Sequence, residues 1–430
     1  MKTVDISNDN RQLGPLGGKV MQFAAIVGIA GVVVSAVMAF IIEDGAAQFF
    51  KSYLLAFCFV VSIALGALFF AFLQHATRAG WSVTVRRIAE GFSANLIWIW
   101  VLFLPIFILV LIGQGDVLYK WMDPAVVDPD SDKYDSVVAH KEIYLNTGFF
   151  LVRNVIYFAA WALLGWYFLS RSVAQDETGD PELTSRMQAR SYPAALLFAV
   201  TVTFASFDWI MSLAPHWFST IFGVYFFAGC ACAAFSVMIL SMYFLQQSGR
   251  LRNAITVEHY HDMGKMLFAF GIVFWAYIAF SQYMLIWYAN IPETTGWYIA
   301  RQLGGWSWFS IFLLVGHFIG PFLILISRHP KRNPRLLAIG AAWMLFMHVI
   351  DLYYLIMPPK PEAEMAAAET YTELADSFAD MGVGWHLMDL TTLVGLGGLF
   401  LAGTCYLMRD KSLLCEKDPR LSEALAFENM

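Results

Sequence analysis

Residues 20–42 read VMQFAAIVGIAGVVVSAVMAFII, twenty-three positions without one charged side chain. A helix needs about 20 apolar residues to cross the hydrocarbon of a bilayer, so this stretch is long enough to span. Nine more runs of that kind follow, at 53–73, 94–112, 147–169, 192–211, 218–245, 264–288, 306–327, 336–357 and 386–408. Hydrophobic residues make up 59% of the 430, charged residues only 14%, and mean hydropathy is +0.60. That balance excludes an ordinary soluble domain. In hydrocarbon each backbone polar group must be satisfied within its own segment, so the expected fold class is all-α integral membrane with ten transmembrane helices. The first run follows a polar segment, 1–19, and has full anchor length, which argues for a retained span and against a cleaved leader.

Orientation follows from the basic residues. Of the 27 Lys and Arg, nineteen fall in the two end segments, 1–19 and 409–430, and in the alternate loops that share their side; six fall on the other side, leaving Arg153 and Lys265 within spans. Lys and Arg gather on cytoplasmic loops, so both termini are expected in the cytoplasm of a bacterial inner membrane. The outer side carries Trp121, Trp209, Trp217, Trp287, Trp297, Trp306, Trp308 and Trp385 near span ends, the pattern of an interfacial aromatic belt. It is also acidic, the outer loop 113–146 holding Asp123, Asp128, Asp130, Asp132 and Asp135. A second outer loop, 358–385, opens on Pro358-Pro359-Lys360-Pro361 and then reads as a short helix from Glu362 to Ala379. Loops of this length serve as docking surfaces or are tolerated insertions.

Several motifs carry no chemistry. The five cysteines show no spacing for zinc, an iron–sulfur cluster or haem attachment. Gly395-Leu396-Gly397-Gly398 lies mid-span without a preceding strand, so it reads as helix packing, as does Gly316-His317-Phe318-Ile319-Gly320 with its GxxxG form. Pro105 and Pro321 fall inside spans and are expected to kink them.

Chemistry is therefore sought in the ionisable residues within the spans, which are costly there and mark functional sites. His348 and Asp351 lie on span nine, His386 and Asp389 at the start of span ten, each pair spaced i, i+3 and so on one helix face. Since the two spans run oppositely, all four groups come out in the outer half of the membrane, at the depth of Asp208, Arg153 and Gln282. Such a set can relay protons. It can equally neutralise itself, Arg153 pairing with Asp208 for example. His317, near the middle of span eight, is a candidate bridge between inner and outer groups, and Lys265, about one turn inside span seven beside His259, His261 and Asp262, a candidate inner proton entry. A bis-histidine haem requires two imidazoles facing each other at one depth, and His348 with His386 is the one pair to consider.

Three stretches carry a family likeness: His140-Lys141-Glu142-Ile143-Tyr144-Leu145-Asn146 running on through Phe149, Phe150, Arg153 and Tyr157; Ser206-Phe207-Asp208-Trp209-Ile210-Met211-Ser212-Leu213 followed by Pro215-His216-Trp217; and His259-Tyr260-His261-Asp262-Met263-Gly264-Lys265 continuing to Gln282-Tyr283 and Trp287-Tyr288. With them the chain resembles the F subunit of bacterial alternative complex III, itself similar to the membrane subunits of polysulfide reductase and formate-dependent nitrite reductase. The resemblance implies two four-helix bundles, within 52–212 and 216–357, flanked by the helices at 20–42 and 386–408. It implies a quinol:electron-acceptor oxidoreductase in which haem c and iron–sulfur clusters belong to partner subunits, together with a homologous membrane subunit. This chain would hold no redox cofactor of its own and would contribute a proton pathway and a quinone pocket, with Asp208, His348, Asp351, His386 and Asp389 as relay candidates and Arg153 tuning their charge; His317 and Lys265, and Gln282 in support, join them from the reading of the spans alone. Two other classes remain open: a free-standing secondary transporter, and a scaffold for a sister quinol-binding subunit. Nothing in the sequence points to nucleic acid.

Overall fold

The computed structural model describes residues 4–358, 370–379 and 381–429. Ten helices in it are long and apolar enough to cross a membrane: α1 Gly14–Ile41, α2 Gly45–Ala76, α3 Gly80–Leu111, α4 Thr147–Thr178, α5 Glu182–Leu213, α6 Phe222–Gln247, α7 Val257–Ala289, α8 Gly305–Leu325, α9 Pro334–Ile356 and α10 Leu387–Met408. The chain is thus a multi-pass membrane protein, helical nearly throughout.

Contacts among the helices follow a simple order. Helices α2 and α3, α3 and α4, α4 and α5, and α5 and α2 touch in turn; so do α6 and α7, α7 and α8, α8 and α9, and α9 and α6. The two rings meet where α2 and α5 pack on α6, while α1 and α10 pair with each other and lean on α2. Helix α2 is buried almost from end to end, and α1 turns Phe23, Ile26, Ile29 and Phe40 outward, as a lipid-facing helix does.

Small residues set the closest approaches. A Cβ on Gly66 would stand 2.0 Å from the carbonyl oxygen of Cys230, so only glycine lets α2 and α6 meet there. At the α1/α10 crossing a Cβ on Gly31 would meet the Thr391 carbonyl at 2.6 Å and one on Gly398 the Ala24 carbonyl at 2.7 Å. This is the small-residue packing expected of 395–398. Gly316 packs against the Met347 side chain, but Gly320 meets no neighbouring helix within 4 Å, so the GxxxG is only half used.

Helix α3 differs most from expectation. It begins at Gly80, fourteen residues before the apolar run at 94, and is interrupted by a 3-10 turn over Ala94–Ile97. Arg86 and Arg87, counted among the basic residues of the loops on the terminal side, are therefore helical and buried together with Glu90; their mutual pairing, given below, makes that tolerable. Two π-helical segments, Leu267–Phe274 in α7 and Leu314–Ile319 in α8, have no proline within them, although Pro321 follows the second.

Both ends of the chain lie on one face and are knitted together. Leu413 N donates to the Arg11 carbonyl at 2.7 Å, and Asn253 and Ala254 donate backbone N–H groups to the Asp9 carboxylate. On the opposite face 113–146 folds back as a cap of 3-10 turns and the short helix Ser136–Ala139, burying Tyr119 and Trp121. The helix expected from Glu362 is seen as Tyr371–Ala379; positions 362–369 lie outside the described residues. Trp287, Trp308 and Trp385 are exposed as a belt demands, whereas Trp121, Trp209, Trp217, Trp297 and Trp306 are buried in packing.

Candidate functional site

Helix α9 presents His348 and Asp351 from one face, Asp351 toward α6 and α7 and His348 toward α2 and α6. Asp351 is buried; its Oδ1 accepts from the Tyr225 hydroxyl of α6 at 2.5 Å and its Oδ2 from Trp275 Nε1 of α7 at 3.1 Å. No cation contacts it among the described residues. Trp275 lies flat on the His317 imidazole of α8, centroids 3.8 Å apart and planes 12° apart. His317 Nε2 stands 3.1 Å from the Gly271 carbonyl, which the π-helical turn of α7 leaves available. Segments of that kind concentrate at functional sites, and here both sit beside the same polar group.

His348 Nε2 pairs with Ser62 Oγ of α2 at 2.9 Å. The Nδ1 atoms of His348 and His317 are both buried without a hydrogen-bond partner. Buried polar atoms are rarely left so, and each such atom calls for an explanation such as a water or a ligand. Gly229 of α6 faces this spot: a Cβ there would come within 2.8 Å of the His348 ring and 4.0 Å of Asp351 Oδ2.

Tyr225 and Trp275 have a second role. Both line a cavity of about 640 Å³ between α7 and α8, walled by Tyr298, Tyr354, Phe280, Phe318 and Leu313 and carrying Gln282 and Ser310 as polar points. Gln282 is held in place, accepting from Ser219 Oγ at 3.0 Å and donating to the Tyr298 hydroxyl at 3.1 Å. An aromatic cleft with few fixed polar groups is the usual form of a small-molecule site. Arg301, on the short helix Pro292–Gln302, stacks 3.4 Å over the Trp297 ring beside the cavity. It donates to the carbonyls of Trp297, Tyr354 and Leu355, capping the end of α9. Burial pulls its guanidinium down to about 10.

The other sequence candidates fall into separate networks. Arg153 and Asp208 form a bidentate pair, Nε to Oδ2 at 2.9 Å and Nη2 to Oδ1 at 2.8 Å, and the Tyr157 hydroxyl adds a third bond at 2.8 Å. Arg153 also donates to the Tyr144 carbonyl and lies over the Tyr144 and Phe149 rings. Asp389 Oδ1 accepts from Ser52 Oγ at 2.6 Å and Gln48 Nε2 at 3.1 Å. Its Oδ2 takes the backbone N–H of His386, whose Nδ1 in turn takes that of Met388. The i, i+3 spacing at the start of α10 is therefore that of a capping box. His386 is half-buried at the helix end and uses Nδ1 in this cap, whereas His348 Nε2 pairs with Ser62 of α2. Lys265 pairs with Asp262, reaches Asn429 Oδ1 at 3.0 Å and is nearly half exposed, so it sits at the surface of the terminal face. His259 caps α7 through Thr256.

One charged site escaped the sequence reading. Arg86 bonds Glu90 and Asp418; Arg87 bonds Glu90 at 2.9 Å and Asp176 at 2.7 Å, with all but Asp176 essentially buried. The signal was present as Arg86-Arg87-x-x-Glu90, an i, i+3/i+4 pattern that only a helix brings together. Asp418, from the last segment, could not be placed by spacing.

Fold and site together define a multi-pass membrane protein with a buried carboxylate–imidazole centre beside an aromatic cleft. No protein-family model matches the chain, and no curated protein matches it.

Proposed function

We propose that the chain is a membrane subunit of a quinol:electron-acceptor oxidoreductase, of the alternative complex III type, and that the cleft between α7 and α8 receives the quinol. The observation that carries this is the position of Asp351: a buried carboxylate bonded only by neutral donors, both of which form the wall of the cleft. A quinol hydroxyl against Tyr225 can pass its proton to the phenol oxygen while Tyr225 hands its own proton to Asp351 Oδ1. On this reading haem c and iron–sulfur clusters of partner subunits would take up the electrons. His348 and Ser62 stand next in line toward α2. Arg153–Asp208 and His386–Asp389 are assigned cohesive roles beside this path, the first because it is a bidentate ion pair and the second because it caps the start of α10.

On this reading the two rings are the two four-helix bundles of the family, α1 and α10 flank them, both termini are cytoplasmic and the membrane is the bacterial inner membrane. The order of helix contacts and the excess of basic residues on the terminal side support it. A homologous membrane subunit would lie alongside. Purification through a tag on this chain in mild detergent tests it. Stoichiometric haem c absorption and quinol-dependent reduction of that haem are expected, and a chain that purifies alone without either contradicts the reading.

One observation favours a second reading. The π segments of α7 and α8 interrupt neighbouring helices beside a polar site, as broken helices do in secondary transporters. Solute uptake by the isolated protein in liposomes would decide for it.

A further inference from the structure

Away from this centre, at the end of the helices that faces the termini, α4 and α5 flank an open surface groove of about 540 Å³ lined by Tyr167, Arg171, Leu183, Arg186, Ala189 and Arg190. Three arginines from two antiparallel helices thus converge on one space. Among the described residues Arg171 and Arg190 have no ion-pair partner; Arg186 meets Glu182 at 3.4 Å with both side chains well exposed. Arg171 lies over the edge of Tyr167. Three like charges in one pocket repel, so the arrangement calls for an anion.

Depth says which kind. Arg171 follows the apolar run 147–169 and Arg190 precedes the run 192–211, so both sit where side chains change from polar to apolar. On the membrane side of the pocket the same two helices expose Leu163, Trp166 and Leu196. A ligand with an anionic head and long apolar chains uses both halves of this surface, whereas a soluble anion uses only the first. Guanidinium groups bind phosphate oxygens in pairs, and basic pockets between membrane helices hold lipid head groups.

We propose that Arg171, Arg186 and Arg190 form a binding site for the phosphate of an anionic phospholipid, its acyl chains lying along the α4/α5 surface. A zwitterionic lipid brings an ammonium group into the same positive pocket and is disfavoured. The inference is independent of the quinol reading.

Native mass spectrometry of the purified full-length protein, titrated with phosphatidylglycerol or with phosphatidylethanolamine, tests it. The wild type is expected to retain phosphatidylglycerol selectively. The triple variant R171Q/R186Q/R190Q is expected to bind it about a hundredfold more weakly, and R171K/R190K to keep part of the affinity. These side chains are exposed, so the triple variant should keep the wild-type melting temperature, and that is measured alongside. Inorganic phosphate should not displace the lipid. Equal phosphatidylglycerol binding by the triple variant, equal affinity for the two lipids, or full displacement by millimolar phosphate each overturns the proposal, the last pointing to a soluble anion.

Discussion

Tyr225 on α6 donates its hydroxyl to Asp351 on α9 across 2.5 Å, and the same phenol forms part of the wall of the α7/α8 cleft. A buried acid is thereby connected to a cavity it does not itself line. Burying a carboxylate without a cation is costly, and nothing in helix packing demands an acid there. Asp351→Asn keeps an acceptor for Tyr225 but turns an N–H toward Trp275 Nε1, so the melting temperature should drop by a few degrees, while quinol oxidation by the complex falls by roughly 10²-fold or more, the scale of losing a positioned proton acceptor. Tyr225→Phe should lose activity in the same way. Wild-type turnover in both variants removes Asp351 from the path.

Arg153 and Asp208 behave differently. Their pair is buried and saturated, so removing one partner leaves an uncompensated charge. Arg153→Gln should destabilise by about 3–5 kcal/mol, whereas Arg153→Met with Asp208→Leu should recover much of that. Thermal unfolding in one detergent checks the order; a double variant worse than the single would show that the pair does more than neutralise itself.

Asp418 ties the last segment of the chain to the buried Arg86–Glu90–Arg87 cluster. Asp418→Ala should loosen residues 409–429. Limited trypsin digestion reads this directly, because Arg409, Lys411, Lys417 and Arg420 lie in that segment. Cleavage there should be several-fold faster in the variant, and an unchanged rate would mean that the other tail contacts suffice.

At Gly66 an added methyl group would overlap the Cys230 carbonyl, while at Gly397 it would meet nothing within 4 Å. Gly66→Ala should therefore cost about 1–3 kcal/mol or more, the range for overpacking, and Gly397→Ala should be near neutral. Similar melting temperatures for the two variants would place the α2/α6 contact elsewhere.

Much of this was legible in one dimension, and the reasons for the rest are local. Ten apolar runs stand out because only length and hydropathy are needed to cross a bilayer. The start of α3 was hidden, because Arg86, Arg87 and Glu90 look like loop charges until Asp176 and Asp418 are brought to them from distant positions. His348 with Asp351 and His386 with Asp389 share one spacing, yet the first pair reaches side chains of three other helices and the second caps a helix end. Period cannot tell these apart, since it gives the face and not what lies opposite. The π segments of α7 and α8 left no mark that a 3.6-residue period could show, and they are what bring Gly271 to His317.

Photolabelling of the intact complex with a photoreactive quinone analogue tests whether quinol occupies the cleft beside Asp351. Adducts on cleft residues of α7 and α8 such as Tyr277, Phe280 and Leu314, suppressed by excess native quinone, are the expected result. Labelling confined to partner subunits, with none on this chain, would contradict it.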